Sequence, residues 1–211
     1  QPDPLKAAYW LQRLGDSASP NNQYRYGRIL YLGEGGVVDR QQAASWFLKA
    51  ARNGLADAQR QIAEMYLEGD GIEQDTPKGL YWLTLLAEKG DSGAGSRLGS
   101  IYYEGTGVET DKEKAFAWFL KAARNGDVNA QAKVSNMYYL GEGVEKDEKK
   151  SFFWTKRTAE LGVASGQYNL AVMYDNATGT EKSSDLAIAW YTKAANQEYI
   201  PAQNALAWVY S

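Results

Sequence analysis

The sequence predicts an all-α fold, an α/α superhelix or solenoid built from 36-residue two-helix units, and three observations predict it. Tryptophan falls at Trp10, Trp46, Trp82, Trp118, Trp154 and Trp190, a constant step of 36 residues with only Trp208 outside the series. Other columns keep the same step. Tyr66, Tyr102, Tyr138, Tyr174 and Tyr210 form one, and Ala58, Ala94, Ala130 and Ala202 form another, with Gly166 in the gap. The composition agrees, because 5 prolines against 21 glycines suit many helices separated by glycine-marked turns. A fixed period of this length is the signature of a stacked repeat array, in which no unit can bury both its faces alone.

Each element has its own local reason. A half-unit is expected at 3–15, followed by helix pairs at about 22–51, 58–87, 94–123, 130–159 and 166–195, and a last first-type helix at 201–211. In the third pair Ala94, Leu98, Ile101 and Tyr102 make one apolar stripe of an amphipathic helix. Gly105-Thr106-Gly107 breaks that helix, and Asp111 is the predicted N-cap of the next, its carboxylate accepting orphan N–H groups of the first turn. Pro77 stands where an early-turn proline removes no helical hydrogen bond. The second helix repeats Ala115, Trp118, Phe119, Ala122 and Ala123 on one face, and Gly126 is its C′ stop. Small residues at Gly27, Ala63, Gly99, Ser135, Ala171 and Ala207 permit close helix approach. Twelve helices result, in one array covering 1–211, with the tryptophan and tyrosine columns as its core.

The unit A-x-x-x-(L/V)-x-x-(M/I)-Y-x-x-G-x-G-V-x-x-D-x-x-K-A-x-x-W-(F/Y)-x-K-A-A-x-x-G resembles the Sel1-like repeat family, relatives of tetratricopeptide repeats. Ala94 to Gly126 is its clearest copy and Ala130 to Gly162 a looser one. The resemblance implies a solenoid and a broad set of roles: adaptors, secreted or periplasmic proteins, bacterial regulators, and some immunity proteins that neutralise a toxic effector. Two departures stand out. Asn176-Ala177-Thr178-Gly179-Thr180 replaces the G-x-G-V turn of the fifth unit, and Arg157-Thr158 stands where Lys-Ala is usual in the fourth. Both leave the fold expectation intact, while the turn surface at that end is expected to differ from the other units.

Chemistry is hard to build from this chain. It has no histidine and no cysteine, which removes the commonest general base, the nucleophilic triads and a structural zinc site. The acids at Glu68, Asp70, Glu142, Glu145 and Asp147 lie in or beside a repeated turn, so they read as solvated turns and caps before a catalytic pair or a calcium site. The G-x-G runs follow helices and lack a phosphate-loop lysine, so they are turns. Glu145 to Lys150 reads as a solvated helix start. No enzyme activity, metal or cofactor is expected. A net charge of −3 and the lack of a basic stripe argue against nucleic acid. No stretch approaches the length of a membrane span. The chain starts Gln1-Pro2-Asp3 without methionine, so it reads as processed or trimmed. A periplasmic or secreted location is expected, with the cytoplasm as the alternative, and a monomer is favoured.

The expected function is protein binding, as an adaptor or inhibitor, the partner being an effector, an enzyme or an envelope component. A carbohydrate- or peptidoglycan-binding module using the same aromatics is the alternative. In tetratricopeptide repeats the concave face is lined by first helices, and carrying that geometry over selects Tyr24, Arg28, Tyr31, Arg60, Glu64, Tyr103, Asn136, Tyr139, Tyr168 and Trp208. Their columns vary while the core columns barely change. The aromatics among them read as anchors that packing does not ask for, since aromatic and arginine side chains bury large area at modest entropic cost.

Overall fold

The computed structural model describes residues 3, 6, 9, 10, 13, 19–34 and 38–211. Among these residues it holds eleven helices and no strand: α1 (Pro20–Leu32), α2 (Arg40–Arg52), α3 (Ala56–Glu68), α4 (Thr76–Glu88), α5 (Ser92–Glu104), α6 (Lys112–Arg124), α7 (Val128–Leu140), α8 (Glu148–Glu160), α9 (Ala164–Asn176), α10 (Ser184–Ala195) and α11 (Ile200–Val209). The expected half-unit at 3–15 lies mostly outside the described residues. First-type helices start at 20, 56, 92, 128, 164 and 200, so the 36-residue step survives to the residue. Five begin two residues before the predicted bounds and the last begins one before, because each opens ahead of its alanine column.

The chain divides into two compact units, Gln1–Gly95 and Ser96–Ser211, and each is taken by itself. Within each, consecutive helices pack on one another. The stops and starts are chemical. Gly33, Gly69, Gly105 and Gly141 cap first helices in the left-handed conformation, at φ 71°, 74°, 75° and 75°. Asp39, Asp75, Asp111 and Asp147 then accept from the N–H three residues on, at 2.8–3.0 Å, and so cap the second helices. The second turn glycine has a separate duty. A Cβ on Gly143 or Gly179 would collide with the backbone carbonyl of Lys112 or Glu148 at the start of the preceding second helix.

The irregular fifth turn is not irregular in shape. Ala177 takes the glycine's place at φ 56°, and its N–H reaches the Met173 carbonyl as Gly141 reaches Met137. Ser183 caps α10 through the Leu186 N–H where the other units use aspartate. The turn survives because an alanine tolerates the left-handed region at a cost of order 1 kcal/mol.

The deepest layer lies one residue beyond the tryptophans. Trp46, Trp82 and Trp154 are buried, but Trp118 and Trp190 are only half-buried. The expectation that Trp118 is a core centre is thus corrected: its ring lies at the margin, under Lys121 at 5.3 Å. The following column, Phe47, Leu83, Phe119, Thr155 and Tyr191, is buried throughout. It faces the small-residue column twenty places earlier. Phe47 lies against Gly27 and Phe119 against Gly99, so closely that a Cβ on either glycine would strike the ring. The tyrosine column is likewise peripheral at four of its members, half-buried Tyr174 among them. Tyr66 and Tyr102 are half-buried and Tyr210 exposed, while Tyr138 is buried. Lys78, Lys114 and Lys150 lie over Tyr66, Tyr102 and Tyr138 at 5.3–5.4 Å, each also paired to the aspartate cap of its own helix.

Two outcomes test this layering. Phe119→Ala is expected to cost about 3–5 kcal/mol in urea denaturation, and Trp118→Ala clearly less. Ala177→Gly is expected to raise stability by about 0.5–1 kcal/mol, because glycine relieves the left-handed strain at that cap. Differential scanning calorimetry of the single variant checks it.

Candidate protein-binding face

The ten face residues meet different fates, and the reason lies in what the neighbouring helices offer them. In the first unit Tyr24 is half-buried with its ring 5.4 Å from Phe47. Tyr31 donates its hydroxyl to Asp70 at 2.7 Å, and Arg40 both pairs with Asp70 at 2.6 Å and lies 5.2 Å over the Tyr31 ring. The hydrogen bond from Tyr31 holds the Asp70 carboxyl below the ordinary carboxylate range, and it pushes the Tyr31 phenol up. Arg60 pairs with Asp57 and Asp91, Glu64 is half-buried, and Arg28 is exposed.

In the second unit Tyr103 repeats the Tyr31 arrangement. Its hydroxyl donates to Glu142 at 2.6 Å, and Lys112 stands 2.9 Å over its ring. It packs on the core cluster around Phe119. Tyr168 sits 5.6 Å from Tyr191 and 5.7 Å from Tyr199, against another cluster. So Tyr24, Tyr31, Tyr103 and Tyr168 are not surplus to packing, contrary to expectation: each covers the edge of a deep aromatic. The acids Asp70 and Glu142, read from sequence as solvated turns, anchor two of these rings. Trp208 is 83% exposed on α11.

Asn136 and Tyr139 are placed otherwise. Both are exposed on α7 and line a cavity of about 350 Å³ between α7 and α9, with α8 as its floor. Tyr139 belongs to the column of Tyr31 and Tyr103. The residue 39 places on is Thr178, where those two have Asp70 and Glu142, and no hydrogen bond to its hydroxyl is seen among the described residues. The walls carry Asn129 and Asn136 on α7 and Asn169 and Asn176 on α9. Within each pair the amides are seven residues apart, two helical turns on one face.

The floor was not foreseen as a site. It consists of Ser151, Thr155 and Thr158 on α8 together with Ser135 on α7, all buried. Ser135 Oγ donates to the Ser151 carbonyl at 2.9 Å and lies 3.0 Å from Ser151 Oγ and 2.6 Å from Thr155 Oγ1. Thr158 donates to the Trp154 carbonyl at 3.1 Å. The signal was present in the columns. Ala43, Phe47 and Ala50, or Ala115, Phe119 and Ala122, become Ser151, Thr155 and Thr158 in the fourth unit alone. No charged side chain lines the cavity. Among the described residues no cluster of acids could hold a metal ion, and no helix is long and apolar enough to cross a membrane.

The Sel1 repeat family model matches residues 1–18, 23–55, 56–91, 96–127, 128–163 and 164–199. Among solved structures, the chain is similar to a protective antigen of uropathogenic Escherichia coli strains with an SLR fold, at 32% identity and a TM-score of 0.85, over 98% of this chain and 44% of that one. It therefore spans less than half the length of that antigen. A Sel1 repeat protein from Oxalobacter formigenes is 29% identical, with a TM-score of 0.74, over 90% of this chain and 81% of that one. An immunity protein from Pseudomonas aeruginosa is 19% identical, with a TM-score of 0.46, over 88% of this chain and 68% of that one. No curated protein matches the sequence.

The Tyr31–Asp70–Arg40 clamp makes a pH prediction. A carboxyl depressed in the folded chain stabilises it fully above the unfolded value near 4, and that contribution is lost as pH falls through the lower folded value. The melting temperature should therefore fall as pH drops from about 4 to 2. Asp70→Asn should show a smaller fall than the parent chain in the same pH series.

Proposed function

The chain belongs to the Sel1 repeat family, and from that premise we propose that it is a non-enzymatic scaffold that binds another protein through the first-helix face of its second unit. The observation that carries this reading is the half-open cavity between α7 and α9. It is walled by neutral amides and floored by hydroxyls that already bond to one another, so it offers recognition and no nucleophile–base pair. Sel1 repeat proteins are generally interaction scaffolds, which supports the coarse reading.

The finer reading is a partner among effectors, enzymes and envelope components of a bacterium, met in the periplasm or outside the cell. Neutralisation of a toxic effector is its narrowest form, and it rests on the family resemblance. Cell fractionation checks the compartment. The same amides and hydroxyls would also hydrogen-bond a sugar, so peptidoglycan fragments serve as a competing ligand.

The test is affinity for the native partner, isolated from the source cell with this chain as bait and then purified. Asn136→Ala and Tyr139→Ala together are expected to weaken the complex by about 2 kcal/mol or more, some thirtyfold. Lys149→Ala, on the turn side, should change it by less than about 0.5 kcal/mol. A costly Lys149 with a silent Asn136 and Tyr139 would move the binding surface to the turn edge. Saturable binding of peptidoglycan fragments with no protein partner would replace this reading by the carbohydrate one.

A further inference from the structure

The cavity exists because a size rule kept elsewhere fails in one unit. The residue after each tryptophan fills the space above the small residue twenty places earlier. Gly27 receives Phe47, Ala63 precedes Leu83, Gly99 receives Phe119, and Ala171 shares a cluster with Tyr191. In the fourth unit both members are small, and Ser135 meets Thr155. The volume that a ring takes up in the neighbouring units is left between α7, α8 and α9. Ordinary loss of a core ring leaves apolar walls, and here the walls are hydroxyls instead.

The protons of those hydroxyls can be counted. Each serine or threonine has one to give and two lone pairs to accept with. Ser135 gives its proton to the Ser151 carbonyl, so its two further contacts must be donated to it by Ser151 and Thr155. Thr158 gives its own to the Trp154 carbonyl. All four protons are committed inward, and what the floor turns to the cavity is lone pairs. A ligand reaching it must bring a hydrogen-bond donor. It must also be uncharged, because no acid lines the cavity to neutralise a buried cation and no base to receive an anion. The next unit shows what fits such a position. Tyr191 fills it with a phenol whose pKa burial pushes up to about 12, so the ring enters this kind of space in its neutral form.

We propose that the fourth-unit cavity is a socket for a tyrosine side chain of the protein partner. It rests on the protein-binding reading above and names the partner's anchor. The phenol ring takes the place that Phe119 holds in the unit before, and its hydroxyl donates its single proton to the Thr155 oxygen, with the Ser151 oxygen beside it. Tyr139 closes over it at the rim, free of the acid that ties down Tyr31 and Tyr103. Asn129, Asn136, Asn169 and Asn176 each offer a donor and an acceptor to the flanking peptide groups. The absence of a lining lysine or arginine makes the socket reject phosphotyrosine.

The experiment is a nuclear magnetic resonance titration of the whole chain with 4-methylphenol, N-acetyltyrosinamide, N-acetylphosphotyrosinamide and toluene. The two phenols are expected to bind with dissociation constants of about 1 mM or tighter, a range suited to so few atoms, shifting Ser135, Tyr139, Thr155 and Asn169. Toluene and the phosphorylated probe should bind about tenfold or more weakly. The variant S135G/S151A/T155F/T158A rebuilds the third unit's packing and should abolish phenol binding while its helical circular dichroism persists. Should that variant not fold, Thr155→Val decides: it keeps the shape, removes one acceptor, and should weaken phenol about fivefold with toluene unchanged. No shift at these residues, toluene binding as well as phenol, or phenol binding untouched by the filled or Thr155→Val variant would overturn the socket. Those outcomes leave the protein-binding reading standing, since it is lost only in the affinity experiment with the native partner.

Discussion

The rest of the structure depends on a close approach between helices that only a small residue allows. Phe47 rests on Gly27 and Phe119 on Gly99, at distances no ordinary Cβ would permit. That contact sets how near a first helix comes to the second helix of its own unit. The turns then hold the register: a left-handed cap ends one helix and a carboxylate, or Ser183 in the fifth unit, starts the next at the same place. Packing density in a protein interior is close to that of an organic crystal, so a contact repeated every 36 residues propagates its geometry along a unit without further instruction.

Much of this was legible in the chain. The 36-residue step fixed eleven helices to within about two residues, because Asp caps, turn glycines and apolar stripes are local signals that tertiary context does not override here. The layering was less legible. Tryptophan is the conspicuous member of its column, yet Phe119 lies deeper than Trp118, since the smaller ring enters the gap over Gly99 and the indole must share its edge with Lys121. The turn at Ala177 misled in the opposite direction. Its sequence departs from the pattern, but the geometry demanded by both flanking helices costs less to keep than to abandon.

The candidate face shows where column reading stops. Period alone separates residues that repeat from residues that vary, and it treats every variable aromatic as spare. Tyr31 and Tyr103 vary in neighbourhood and not in role, each bound to an acid 39 places away. That partnership spans two units and cannot be seen from one column. Asn136 and Tyr139 differ in being exposed at the cavity, with only Lys146 over the Tyr139 ring at 5.6 Å. The hydroxyl floor escaped notice because Ser and Thr at core positions look like conservative small residues, and only their coincidence in one unit marks a hollow.

The partners of each small–large contact lie twenty residues apart, both inside one 36-residue unit. This has a consequence for how such a gene can change by recombination. Loss or gain of a whole unit carries both partners together and leaves each small–large contact intact, although the tyrosine–acid pairs 39 residues apart change partners at the junction. A crossover between positions 99 and 119 on one copy and 135 and 155 on the other would keep the period while joining Gly99 to Thr155. The new unit would have neither the ring nor the serine that ties the threonine down, a dry hole over an orphaned hydroxyl. The repeat is thus modular at its turns and indivisible between its small residue and its ring, which restricts the junctions at which new arrays of this kind can arise.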